Sequence, residues 1–312
     1  MAVRNVPFFK KLRGFTFAEI LVAILIMAIV AGSVLMLGYT YIKHFEQANE
    51  ITIAKDRATM VLTYLEKRIL LAGLGMPLQA EEFEAAFEGL WAHQDFQGNR
   101  WQRPLQEPEP PLLGETYGES EKLLVAYAVP TSIFSISSGD VNNNDLNPTT
   151  IEVSDLDEEK LVEDLTGQTT NGWVVFPSAK WPFKARKTSG YSSDPKTITL
   201  SVNGKKRHVL ANDRLHYVRF MEAKVEDGSF KVKDLAISNI KSGLQPIVEG
   251  VLDCRFRLDK NGVLTVSVLA RGNKKYSAFV SPVNMPDWDV VEDSEWRKYH
   301  LVALTRGWRV RN

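Results

Sequence analysis

The residues best placed to do chemistry lie near the start of the chain, in Gly14-Phe15-Thr16-Phe17-Ala18-Glu19. Glu19 is a lone carboxylate at the head of an apolar run, Ile20 to Leu37, that carries no charge. A carboxylate in a helix entering hydrocarbon costs about 2.5–3.5 kcal/mol, so it marks a functional position that needs a partner. Cleavage after Gly14 would create one. The new α-amino group on Phe15, four residues before Glu19, could pair with it in the same chain or in a neighbour.

A second stretch, Asp140-Val141-Asn142-Asn143-Asn144-Asp145-Leu146-Asn147, alternates carboxylate and amide oxygens in a manner suited to calcium. Asp140, Asn142, Asn144 and Asp145 are the candidate ligands. The pattern departs from an EF-hand loop, with Asp145 after Asn144 where glycine belongs and Ile151 at the twelfth position. A plain Asn/Asp turn accounts for the same residues, and beyond calcium no cofactor is expected. The five histidines, His44, His93, His208, His216 and His300, show no metal-ligand spacing with another His or Cys. No nucleophile elbow, zinc-protease or P-loop motif occurs, and acid runs such as Asp157-Glu158-Glu159 read as a solvated face. The chain is therefore not expected to be an enzyme. Cys254 is the single cysteine, set in a strand pattern, and reads as a small core residue.

The elements that hold these residues begin with a basic leader, Arg4, Lys10, Lys11 and Arg13, without an acid before Glu19. The apolar run is long enough to cross a membrane, and its basic flank places the N-terminus in the cytoplasm and the rest outside. Ala54, Ala58, Val61, Leu65, Ile69 and Ala72 recur at helical spacing, so the helix continues as an amphipathic one. Gly73, Gly75 and Pro77 then stop it. A helix over Phe15–Ala72 would be nearly 90 Å long at about 1.5 Å per residue, too long for one domain to bury. Its first part needs lipid or copies of itself, and its second a folded head.

Residues 76–121 read as a connecting region, with a short helix between Leu78 and Leu90 and a proline-rich stretch, Gln102 to Gly114, unfit for regular helix or central strand. Trp91 and Trp101 are read as anchors of this loop on the head, the alternative being part of a contact surface. From Lys122 the pattern turns to strands: Leu123–Val129, Trp173–Phe176, Thr197–Val202 and Leu215–Met221. The clearest pair has Leu252, Cys254, Phe256 and Leu258 facing Leu264, Val266 and Val268 across Asn261-Gly262, a hairpin signal. One face of that hairpin must be core and the other wet. The expected fold is α+β: a long N-terminal helix on a mainly antiparallel β-sheet head. The implied divisions are a leader over 1–14, a transmembrane or filament-core helix over 15–38, an amphipathic helix over 39–75, a connecting loop over 76–121 and a β-rich head over 122–312.

The 312 residues hold 38 basic and 38 acidic side chains. Losing the leader leaves 34 basic against 38 acidic, a net charge of −4. That argues against a dedicated nucleic-acid binder, although a local basic patch remains possible.

Lys11-Leu12-Arg13-Gly14 followed by Phe15-Thr16-Phe17-Ala18-Glu19-Ile20-Leu21-Val22 resembles the class III signal of type IV pilins and pseudopilins. The resemblance implies a prepilin peptidase cutting after Gly14, N-methylation of Phe15, and an assembly role for Glu19. Met36 stands where many major pilins carry a helix-kinking proline. A head of this size is similar to that of a minor pilin. Arg68–Pro77 and the tail Val302–Asn312 resemble the corresponding parts of the type IV pilus-assembly protein W family. What this implies is a subunit that primes or caps a pilus. Its partners would be other minor and major pilins, the inner-membrane assembly machinery and, before assembly, membrane lipid. The alternatives are a J-type minor pseudopilin of type II secretion and, from another class, a bitopic membrane adhesin or sensor.

Overall fold

A computed structural model describes residues 15–93, 95–96, 100–107, 117–142, 149–154, 172–186, 197–235, 243–281, 284–285, 288–289 and 295–311. The chain divides into two compact units, Met1–Asn49 and Glu50–Asn312. One helix, α1 (Phe17–Leu70), contributes to both. In the first unit it is apolar and nothing covers it: its most apolar window has no buried residue. In this stretch the Ser33 and Thr40 hydroxyls donate to the carbonyls of Ile29 and Met36, each at 2.9 Å, which satisfies them within the helix.

The second unit holds the remaining elements: α2 (Ala80–Ala86), β1 (Leu105–Glu107), β2 (Tyr117–Ser120), β3 (Lys122–Phe134), β4 (Gly139–Val141), β5 (Thr149–Glu152), β6 (Trp173–Phe176), β7 (Trp181–Arg186), β8 (Thr197–Ser201), β9 (Arg207–Val209), β10 (Arg214–Glu226), β11 (Ser229–Leu235), β12 (Gln245–Glu249), β13 (Val251–Asp259), β14 (Val263–Arg271), β15 (Asn284–Met285), β16 (Trp288–Asp289), a 3-10 turn (Glu295–Lys298) and β17 (Leu301–Arg309). Every strand pairing among the described residues is antiparallel. The fold is α+β, a long helix with a β-sheet head.

The largest sheet forks at β10. One edge of β10 pairs with β3 throughout, while its other edge pairs first with β6 through His216 and Tyr217 and then with β11 from Phe220 onward. The near-continuous apolar sequence of β3 follows from this position, because both of its faces are buried. Leu123, Val125 and Tyr127 enter one core, and Leu124, Ala126 and Ala128 enter another. The first core is shared by α1, the large sheet and the second sheet, β17-β14-β13-β2, and takes Ala58, Val61, Leu65, Ile69 and Ala72 from the helical face read in the sequence. The other core is aromatic: Phe83, Phe87, Trp91, Phe96, Trp101 and Phe220 pack ring on ring with centroids 5.0–6.3 Å apart.

The structure refines several expectations. The helix runs over Phe17–Leu70 rather than 15–72. Within 76–121 the described residues include the expected short helix, α2, which packs Phe83 and Ala86 inward, and two strands, β1 and β2, that each extend a sheet. β1 obeys the proline restriction by lying at a sheet edge, directly after Pro104. Trp91 and Trp101 do anchor this region, both buried in the aromatic core. The hairpin is β13–β14 as read, but a bulge between Val251 and Asp253 turns Leu252 onto the opposite face from Cys254, Phe256 and Leu258. That second face is not wholly wet either. Leu269, Trp288 and Leu301 form a small third core there, with the Trp288 indole N–H donating to the Asp253 carboxylate at 2.5 Å. Cys254 is buried in the helix-facing core, where burial pushes its thiol well above the ordinary range.

Candidate functional site at the start of the long helix

Thr16 and Glu19 build the start of α1 together. The Glu19 carboxylate accepts the Thr16 main-chain N–H at 2.8 Å and the Thr16 hydroxyl at 2.9 Å. In return the Glu19 N–H donates to the Thr16 hydroxyl oxygen at 3.3 Å. This reciprocal arrangement is a capping box, and it satisfies amide hydrogens that the first helical turn would otherwise leave without acceptors. The sequence carried the signal in Thr16-Phe17-Ala18-Glu19, a Thr-x-x-Glu directly before an apolar run, which the sequence reading passed over. Phe15 is 82% exposed just ahead of the cap. Gly14 and the basic leader lie outside the described residues.

From Ile20 to Ile42 the helix carries no charged residue. At about 1.5 Å per residue that stretch spans roughly 33 Å, which matches a hydrocarbon core of about 30 Å. Lys43 is the first charge beyond it. The geometry places a carboxylate, one helical turn from the exposed Phe15, at one end of a membrane-length apolar helix.

The other sequence candidates separate. Asp140 lies on β4, and its carboxylate takes the Lys206 ammonium at 2.6 Å and His208 Nδ1 at 2.7 Å. These two partners hold its carboxyl below the usual carboxylate range. A calcium ion at Asp140 would have to compete with both. The Asn142 main-chain N–H donates to the Thr149 hydroxyl at 3.3 Å, and Asn144 and Asp145 lie outside the described residues. Among the described residues no three His, Cys, Asp or Glu side chains gather in a metal-binding arrangement. The histidines are dispersed: His44 is exposed on α1, His93 meets Asp95 at 3.3 Å, His216 is buried against the Arg214 carbonyl, and His300 is buried against the Tyr276 ring. The acid run Asp157-Glu158-Glu159 lies outside the described residues.

Residues 9–35 match a family model described as the prokaryotic N-terminal methylation motif. No curated protein and no solved structure matches the chain. The matched span contains Gly14, Phe15 and Glu19 in register with the helix start, and it supports a prepilin-type signal on a pilin-like or pseudopilin subunit.

Proposed function

We propose that the chain is a minor pilin, a structural subunit that primes or caps a type IV pilus. The observation that carries this reading is the methylation-motif match at residues 9–35 falling in register with the Thr16–Glu19 cap and the uncovered apolar helix. The size of the β-rich unit, Glu50–Asn312, favours a minor over a major subunit. In this mechanism the helix stores the subunit in the cytoplasmic membrane with its N-terminus inside and its head in the periplasm. Prepilin peptidase cuts after Gly14 and methylates Phe15. Extraction by the inner-membrane machinery then moves the helix from lipid into a bundle of similar helices from major and minor pilins. Apolar burial is retained on transfer, and Glu19 meets a neighbour's α-amine.

Mass spectrometry of the protein from its native membrane tests the processing step: the mature chain begins at N-methylated Phe15. Gly14→Arg leaves the leader attached, because a bulky cation replaces the residue the peptidase must admit. An intact leader on protein recovered from assembled filaments would refute the reading. Deletion separates the two assembly systems. Loss of sheared surface filaments marks a pilus subunit, whereas loss of secreted enzymes with filaments intact marks a type II secretion pseudopilin.

A further inference from the structure

The turn after β8 and the start of β9 carry a run of basic residues, Lys205-Lys206-Arg207-His208. The fold sorts them into two groups. Lys206 and His208 turn to the β4 side, where both contact the Asp140 carboxylate. Arg207 lays its guanidinium over the Trp181 ring, 4.0 Å from the centroid. Trp181 is 4% exposed. Neither its indole N–H nor the buried Arg207 Nε has an acceptor among the described residues. Gly204 lies beside Trp181, where an added Cβ would sit in ordinary contact, 3.7 Å from Cζ2. That contact brings Lys205 and Lys180, the chain neighbours of Gly204 and Trp181, to the same end of the sheet. Both lysines are exposed and have no ion pair among the described residues. Lys180 is held there by a tight turn that forces its φ to 51°.

We propose that Arg207, Lys205 and Lys180 form a docking site for a carboxylate-bearing segment of a partner protein. A guanidinium held over an indole offers its terminal nitrogens as a planar fork that matches a carboxylate with two parallel hydrogen bonds, and its orientation costs little further entropy. The two lysines add charge on the flanks. A nucleic acid fits less well. The one aromatic ring of the site is covered by Arg207, so bases have no exposed stacking platform. Three cations on a chain whose formal net charge is zero make a short footprint for an extended polyanion.

The test uses the full chain in detergent micelles and a fluorescein-labelled octaglutamate peptide, with binding read by fluorescence polarisation at low salt. The wild type binds. Arg207→Gln weakens binding about tenfold or more, in keeping with the loss of a charge-assisted bidentate pair. Arg207→Lys weakens it severalfold, since charge remains but the fork does not. Lys206→Ala leaves the affinity within about twofold, because Asp140 already holds that ammonium. Lys180→Ala with Lys205→Ala, which changes exposed side chains alone, weakens binding even if the Arg207 variants fold poorly. Equal losses in Lys206→Ala and Arg207→Gln would reduce the effect to diffuse charge and overturn the site. Tighter binding of an oligothymidylate of equal charge would overturn the partner class. Absence of peptide binding by the wild type would overturn the proposal altogether.

Discussion

The Arg57 guanidinium on the long helix donates to the main-chain oxygen of Arg271, at the end of β14, at 2.6 Å. Its second terminal nitrogen reaches the Asn273 side-chain oxygen at 2.5 Å. Two turns earlier on the same face, the buried Glu50 carboxylate accepts the Lys274 N–H at 2.8 Å. A single loop, Arg271 to Lys274, is thereby held by both residues of α1. Gly250, with φ +76°, leaves the space that the Arg57 guanidinium fills: an added Cβ would lie 2.6 Å from an Arg57 terminal nitrogen, which would have to move.

This clamp yields a coupled prediction. Arg57→Met keeps the stem and loses two hydrogen bonds from a charged group, for about 2 kcal/mol of stability. Gly250→Ala forces both a left-handed backbone and a steric conflict, for about 2 kcal/mol. The double variant loses less than the two single losses combined, because removing the guanidinium relieves the conflict. Urea midpoints of the four proteins check it; strict additivity would separate Gly250 from Arg57.

A fragment beginning at Ala48 is expected to be soluble and folded, since it leaves out the uncovered apolar helix and keeps all of Glu50–Asn312. In that fragment Leu264→Asp unfolds the head. Leu264 is fully buried in the helix-facing core, opposite Leu258 and Trp308, and an unpaired charge there costs more than about 4 kcal/mol. A folded Leu264→Asp fragment, by circular dichroism and a cooperative melt, would place that face of the hairpin outside.

The β13–β14 hairpin was legible because Asn261-Gly262 set the turn and strict alternation set the faces. The flip of Leu252 was not, since a bulge leaves no mark in a period-two pattern. The helical face from Ala54 to Ala72 was legible from its spacing alone. What could not be read was which partners β3 and β10 would share. Their apolar residues alternate between two cores, and a single sequence shows only that both faces are dry. The aromatic core was hidden for a related reason: Phe83, Phe87, Trp91, Phe96 and Trp101 are scattered through a proline-flanked stretch without a strand period. Phe220, far along the chain on β10, gathers them. At the helix start Glu19 was legible as a lone carboxylate ahead of an apolar run, while its hydrogen bonds to Thr16 needed the Thr-x-x-Glu spacing to be read as a cap.

Stability should rise with pH through the histidine range. Burial pushes His216 below its ordinary value, against the opposing pull of its bond to the Arg214 carbonyl. Burial does the same to His300, with the Glu50 charge opposing. A lowered folded pKa means the unfolded chain binds more protons, so this stability is fully present above about pH 6.5 and is lost as pH falls through the folded values. Asp234, raised chiefly by burial, acts in the opposite sense at lower pH. The urea midpoint is expected to fall between about pH 7.5 and pH 5, and His216→Gln to make that fall shallower. An unchanged slope in His216→Gln would assign the dependence to other groups.

The last prediction separates two roles for Glu19. The carboxylate caps α1 through Thr16, and the proposed function gives it a second partner, the α-amine of a neighbouring subunit. Capping alone is worth about 1 kcal/mol, and removing the charge makes membrane insertion easier by about 2 kcal/mol or more. If capping were its whole role, Glu19→Ala would be mild, and Thr16→Val, which removes the hydroxyl from the cap, would match it. An unpaired amine in the low-dielectric centre of a filament costs several kcal/mol. Glu19→Gln tests the charge directly, since it keeps shape and an acceptor oxygen for the Thr16 N–H. Glu19→Ala and Glu19→Gln are therefore expected to insert, to be cut after Gly14, and to accumulate in the membrane without entering filaments. Thr16→Val is expected to assemble near the wild-type level. The assay is complementation of a deletion strain at native expression, scored by the variant's presence in sheared filaments and by filament yield. Normal yield with Glu19→Ala present in the sheared fraction would end the pairing argument, and equal failure of Thr16→Val would make the cap, not the ion pair, the property that assembly requires.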